Sequence, residues 1–172
     1  VADNNSALGS GAVTVGGAGT TGTLKVNAGI TLVNSVTLNN GGTLSGFGAV
    51  GNTVVESGGV ISPGQSGSIG TLTVNGNLEM KTGAVYHVQA APNSSVSSLI
   101  NVTGIATLAG NVLHVGNESN ASTDFQVGKT YTILHASQIN GVFSGASSNY
   151  AYLDATLGYL QTNSVTTDVT LQ

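Results

Sequence analysis

A succession of very short runs, alternating apolar and polar and each cut off by Gly or Asn, limits this chain more than any other feature. Read in order they are Ala12–Val15, Thr23–Val26, Ile30–Val33 and Val36–Leu38, then Thr53–Val55, Val60–Ile61, Thr71–Val74, Leu78–Met80 and Val85–Val88. Successive side chains of a strand point to opposite faces, so this alternation marks strands with one buried face. No stretch of the first half carries the i, i+3, i+4 apolar spacing of a helix, so helix should be nearly absent there. Between the runs stand Gly16-Gly17, Asn39-Asn40-Gly41-Gly42, Gly58-Gly59 and Asn75-Gly76-Asn77, which suit tight corners.

Two architectures compete for such a pattern. An antiparallel sandwich wants strands of about 5–6 residues with turn signals every ~8–12. A solenoid wants shorter strands, closer corners and an internal repeat. The string Gly-Thr-Leu begins at Gly22, Gly42 and Gly70, and Gly11-Ala12-Val13-Thr14-Val15 is a looser copy upstream. Three short strands per repeat fit the solenoid better over residues 1–85.

The composition agrees. Charged residues make up 6% of the chain, against about a quarter in ordinary domains, so Asn, Ser, Thr and Gln must dress the surface. Apolar content of 40% argues against disorder. Only 3 Lys and no Arg are present, with a net charge of -4, which argues against nucleic-acid binding. There is no Cys, hence neither a disulfide framework nor a thiolate metal site. Residues 1–11 do not read as a signal peptide, and no apolar run approaches the ~18 residues of a membrane helix. An export signal, if one is used, is expected outside this sequence.

The character changes at Tyr86. Only Phe47 precedes it among the aromatics; Phe125, Tyr131, Phe143, Tyr150, Tyr152 and Tyr159 follow. Asn93-Ser94-Ser95 and Asn117-Glu118-Ser119-Asn120 read as loops, and Thr130–Leu134 and Val165–Leu171 as strands. A solenoid needs an atypical last unit, because its final layer would otherwise expose apolar core and open edge. Large rings suit that role.

These residues resemble a known family. Asn5-Ser6-Ala7-Leu8-Gly9-Ser10-Gly11 followed by Val13-Thr14-Val15 is similar to the passenger-associated repeat of bacterial autotransporters. Ile61-Ser62-Pro63-Gly64 with Gly70-Thr71-Leu72-Thr73-Val74-Asn75-Gly76 resembles a rung found late in their passengers. Gly128–Leu134, Gly141-Val142-Phe143 and Leu153–Tyr159 look like their C-terminal module, the autochaperone or junction region. The resemblance spans nearly the whole chain. It implies an all-β, right-handed parallel β-helix with an elaborated C-terminal cap. It also implies display on a Gram-negative cell surface through an outer-membrane β-barrel encoded downstream, and a C-terminal part that seeds folding of the upstream passenger rungs.

Chemistry-bearing motifs are weak. Gly46-Phe47-Gly48-Ala49-Val50-Gly51 matches G-x-G-x-x-G, but a strand-like run follows it where a dinucleotide site needs a helix. His87, His114 and His135 lie far apart in strand-like runs and read as half-exposed positions rather than metal ligands. Gly64-Gln65-Ser66-Gly67-Ser68 misses the nucleophile elbow by one position. A β-helical polysaccharide-degrading enzyme would need clustered carboxylates. Asp3, Glu56, Glu79, Asp154 and Asp168 are scattered, and only Glu118 and Asp124 are neighbours. The Gly-rich runs lack the Asp of calcium-binding nonapeptides. The five N-x-S/T sequons, at Asn4, Asn93, Asn101, Asn117 and Asn120, read as incidental in so Asn- and Ser-rich a chain.

The expectation is therefore β-helix rungs over 1–85 and a cap over 86–172, with no catalytic residue, cofactor or metal. Tyr131, Phe143, Leu153, Leu157 and Tyr159 are the expected cap core. The alternative function is an adhesive or binding segment with a host or cell-surface ligand.

Overall fold

The computed structural model describes residues 1–172 except 66, 93, 117–124, 126 and 127. The sequence readings that fall on Asn93, Asn117–Asn120, Glu118, Asp124 and Ser66 therefore lie outside the described residues. Among the described residues every regular element is a strand. The strands are β1 (Val13–Val15), β2 (Gly22–Val26), β3 (Val36–Leu38), β4 (Gly42–Gly46), β5 (Ala49–Val50), β6 (Thr53–Val55), β7 (Val60–Pro63) and β8 (Thr71–Val74). After them come β9 (Leu78–Met80), β10 (Val85–Val88), β11 (Leu99–Leu108), β12 (Asn111–His114), β13 (Tyr131–Gly141), β14 (Ala146–Ser148), β15 (Leu157–Thr162) and β16 (Val165–Leu171).

The strands are parallel almost throughout, which rules out the antiparallel sandwich. One sheet runs β14-β12-β10-β7-β4-β2; the other runs β1-β3-β6-β9-β11-β13-β16-β15, with β5 and β8 joined to it through β11. Parallel neighbours in one sheet are separated in sequence by strands of the other, as parallel pairing requires. The only antiparallel pairings between named strands are β13 with β16 and β15 with β16. Both lie at one end of the molecule.

Register follows the inward-facing side chains. Leu24 lies over Leu44, Leu44 over Ile61, Ile61 over Tyr86 and Tyr86 over Val112. In the other sheet Val50, Val74, Val102 and Ala136 stack in the same way. Leu38, Val55, Met80 and Leu108 form a third column. These side chains are buried and belong to one apolar cluster extending from Ala2 to Leu171. Each large apolar side chain buried this way contributes roughly 1.5–3 kcal/mol. A one-residue slip would turn a whole strand's apolar set outward, so the alternation fixes the register.

The corners stack too. Gly41, Gly58 and Gly83 all have φ near +80°. The Gly41 N–H donates to the Gly58 carbonyl, and the Gly58 N–H to the Gly83 carbonyl. A second corner is built by Asn: the Asn77 N–H donates to Asn52 Oδ1 at 2.8 Å, and the Ile105 N–H to Asn77 Oδ1 at 2.9 Å. The G-x-G-x-x-G string lies at a third. Gly46 ends β4 at φ +114°, and a Cβ there would overlap the Val26 carbonyl of the neighbouring layer. No helix follows, so its glycines serve close backbone approach.

The chain closes with the β15–β16 hairpin. Asn163 and Ser164 both take positive φ between the paired Thr162 and Val165, the two-residue loop that matches strand twist. The hairpin lies antiparallel along the first residues of β13, where Tyr131 faces Leu171. At the opposite end β1 pairs only with β3, leaving its other edge without a strand among the described residues.

Candidate functional site

The closing end carries two aromatic groupings. The first plugs the interior. Tyr86, on β10, is fully buried, and its ring centre is 6.3 Å from that of Phe143. The Phe143 N–H donates to the Tyr159 hydroxyl oxygen at 2.7 Å. Burial pushes the Tyr159 phenol above its ordinary value, although that donation to its oxygen acts the other way.

The second grouping surrounds a cavity of about 500 Å³ at the end of the stack. Its position follows from register. Val88 of β10 lies beside His114 of β12, and His114 beside Ser148 of β14. The inward column of this sheet thus ends in a polar pair where the upstream layers are apolar. His114 Nδ1 and Ser148 Oγ are 2.9 Å apart. His114 is 3% exposed, and its Nε2 is buried with no hydrogen-bond partner. Burial lowers its pKa below the usual 6.5, so the ring is neutral at pH 7. The ring meets Phe125 edge-on at 5.4 Å and Tyr150 at 5.9 Å, and Tyr150 stacks on Tyr152 at 5.4 Å.

Across the cavity stand Tyr131, Leu171 and Leu153, with Tyr152, Lys129 and Asp154 also in the lining. The Tyr131 hydroxyl donates to the Ala91 carbonyl at 2.9 Å. Lys129 Nζ donates to the Pro92 carbonyl at 3.1 Å and lies 5.9 Å from the Tyr131 ring centre. Tyr152 is 59% exposed.

The five residues expected to form one cap core are distributed over both groupings. Tyr131 and Phe143 are each 5% exposed. Phe143 and the half-buried Tyr159 pack at the interior plug, and the half-buried Leu157 packs against the apolar cluster beside Leu171. Tyr131 and the half-buried Leu153 line the cavity.

The reading of the histidines needs correction. His87 is half-buried and His135 exposed, but His114 is buried. Period-2 alternation contains the signal: His114 stands two residues after the buried Val112 and shares its face. Burial of a neutral imidazole between rings and a Ser outweighed its polarity. His135 instead reaches Asp168 of β16, with Nδ1 and Oδ1 2.7 Å apart. Tyr86 and Tyr152 also belong to the site, although sequence reasoning left them out of the cap core.

Among the described residues the carboxylates do not gather. Glu56 pairs with Lys81 at 2.7 Å and Asp168 with His135. Among the described residues no three His, Asp or Glu side chains form a group able to hold a metal ion. The three-dimensional arrangement offers apolar enclosure and a polar pair of buried His114 with half-buried Ser148, and among the described residues no two carboxylates are paired. No family model matches the chain, and a search of curated proteins gives no match either.

Proposed function

We propose that this chain is a segment of a right-handed parallel β-helix from an autotransporter passenger, and that its C-terminal part is stem and folding seed. The observation that carries the reading is the asymmetry of the two ends. At one end an antiparallel hairpin covers β13 and aromatic rings fill the interior. At the other, β1 has no strand on its outer edge among the described residues, and a single bridge from Ala2 meets the end of β2. Such an arrangement suits growth in one direction: each upstream rung docks on structure already made. The chain then works at a Gram-negative cell surface without catalysis. Its partners are its own upstream rungs and an outer-membrane barrel encoded downstream.

The reading frame beyond Gln172 tests this. A β-barrel of outer-membrane type, with alternating strands and an aromatic girdle, is the expected continuation. A frame that ends there, or runs into an unrelated domain, overturns the assignment.

A binding role is the second reading, favoured by the aromatic-lined cavity beside His114.

A further inference from the structure

We infer that the outer edge of β15 is a self-association surface, on which a second copy of this chain pairs β15 against β15 in an antiparallel, two-fold dimer. The inference is independent of the autotransporter reading, because it rests on this strand edge alone.

The edge is open and long. Among the described residues four strands end the two sheets: β1, β2, β14 and β15. β1 and β14 have three residues each, and β2 has five with Ala2 bridged to its last. β15 has six and pairs only with β16. An open edge is ordinarily blunted by Lys, Pro or a bulge. From Ala155 to Thr167 the chain has no charged residue and no Pro. The bulge lies on β16 at Thr167, because Leu160 pairs with Asp168 and Gln161 with Thr166. β15 itself is regular.

The phase of the ladder says which groups face outward. The Thr156 N–H donates to the Gln172 carbonyl and the Gln172 N–H to the Thr156 carbonyl, both at 2.9 Å. Bonding alternates along an antiparallel strand, so Gly158 and Leu160 also direct their main-chain groups at β16. The two-residue turn closed by Thr162 and Val165 has the same phase. Leu157, Tyr159 and Gln161 therefore turn their N–H and C=O groups to the open side.

These groups match a copy of themselves. A two-fold axis perpendicular to the sheet keeps inward residues on the inward face. With Tyr159 on the axis, Leu157 meets Gln161 of the second copy, Tyr159 meets Tyr159 and Gln161 meets Leu157. Each of these pairs exchanges two hydrogen bonds. An axis at Leu160 would lose the outermost pairs, since Asn163 has left-handed φ and belongs to the turn.

Side chains agree with this register. Leu160 is 53% exposed on the outward face. It falls opposite Gly158 of the second copy, in a pair without hydrogen bonds, where side chains come closest. Glycine leaves room for it, and glycine within a strand often marks the close approach of another backbone. The two Leu160 side chains become diagonal neighbours. A strand facing itself sets each charge near a like charge, and β15 has none. The dimer closes, because each copy uses its one β15 edge. A six-residue edge is only about 20 Å long. That is small beside stable interfaces of roughly 1,200–2,000 Å², so the dimer is weak.

The test uses the full chain, by sedimentation velocity and by amide hydrogen exchange in NMR, from about 10 µM to about 1 mM. A reversible monomer–dimer equilibrium is expected in that range. The Leu157, Tyr159 and Gln161 amides should exchange about 10-fold more slowly at the top concentration. The Gly158 and Leu160 amides, bonded to β16, should be protected throughout. Gln161→Pro removes an outward N–H and Leu160→Lys sets two like charges beside the axis. Each should weaken dimerisation about 10-fold or more. Should either fail to fold, the exchange pattern of the unaltered chain decides alone. A monomer at every concentration overturns the proposal. So do open-ended oligomers, a dimer indifferent to both substitutions, or concentration-dependent protection at β1 or β14 instead of β15.

Discussion

The Tyr86 hydroxyl donates a 2.6 Å hydrogen bond to the main-chain carbonyl of Ile133, joining residues 47 apart across the interior. Tyr86 belongs to the sheet containing β7 and β12, and Ile133 to the sheet containing β11 and β16. One side chain thus fastens the two sheets at the level where the cap begins. The Ser98 carbonyl lies 3.1 Å from the same oxygen, so the proton has a second acceptor nearby.

Replacing Tyr86 by Phe should therefore cost about 1–3 kcal/mol, because a buried carbonyl loses its donor while the packing volume stays. Tyr86→Ala should cost about 3–5 kcal/mol through the added cavity. Urea unfolding of both variants measures the two values. If Tyr86→Phe is neutral, another donor serves Ile133 and the fastening is dispensable.

The same residue sets an alkaline limit. Burial raises the Tyr86 phenol well above the ordinary 10.0. The unfolded chain loses this proton first as pH rises, so it binds fewer protons than the folded one. Stability is therefore full below pH 10.0 and falls above it, through the folded-state value. Tyr131 and Tyr159 act in the same direction through partial burial. Tyrosinate absorbance should rise in step with unfolding above that pH, and Tyr86→Phe should flatten the decline. Ionisation of all five tyrosines without unfolding would contradict the burial of this one.

Acid acts on the opposite sign. Burial lowers the His114 and His87 pKa values below 6.5. The unfolded chain gains these protons first as pH falls, so their contribution is complete above 6.5 and is lost through the lower folded-state values. Unfolding midpoints in urea should drop between neutral pH and about pH 5, and less so in His114→Phe. Proton NMR of the ring should show His114 titrating below 6.5; titration at or above that value would mean that the ring is not enclosed.

Two glycines separate strain from tolerance. Gly46 has φ +114° and a Cβ there would overlap the Val26 carbonyl, whereas Gly145 has open space around it and no positive φ. Gly46→Ala should lose about 3 kcal/mol or more, from the conformation and the forced separation of layers. Gly145→Ala should stay within about 0.5 kcal/mol. Thermal melts of the pair measure the contrast, and equal losses would mean that the layers do not approach at Gly46.

What the sequence made legible was local. Alternation placed β1, β3, β6, β8, β9 and β10 within a residue or so, because face preference is encoded two residues at a time. The Gly-Thr-Leu copies at Gly22 and Gly42 stack directly, Leu24 on Leu44. The copy at Gly70 lies on the other sheet, where Leu72 meets Ile100, because Val60 and Ile61 already occupy the place beside Thr43 and Leu44. Which sheet a run joins depends on the path through preceding corners, and a three-residue string does not specify that path. Ile30–Val33 shows another limit. It makes only a bridge, Thr31 to Ala49, with Leu32 buried and Val33 76% exposed. The long strands β11 and β13 and the cavity between distant closing elements depend on pairings across 30 or more residues, beyond any local pattern.

The division of the chain near residue 85 leads to the last expectation. The apolar cluster itself is continuous, and β10 begins at Val85, so a cut in the Lys81-Thr82-Gly83 corner spares every strand. The downstream piece, 84–172, keeps β10 to β16. It retains the Tyr86–Phe143 contact, the hairpin and the two longest strands. Its cost is one newly open face, where β10 loses β7 and β11 loses β8 and β9. The upstream piece, 1–83, has two open faces, strands of five residues or fewer and no ring but Phe47. Conformational entropy opposes both pieces in proportion to length, so the piece with more burial per layer should hold. Residues 84–172 alone should unfold cooperatively in urea, and residues 1–83 alone should be unfolded or aggregated through their edges. Mixing the two should give the upstream piece protection from hydrogen exchange that it lacks alone. If 1–83 proves the more stable piece, the C-terminal part is a lid on a stack that folds without it, and the seeding role is wrong.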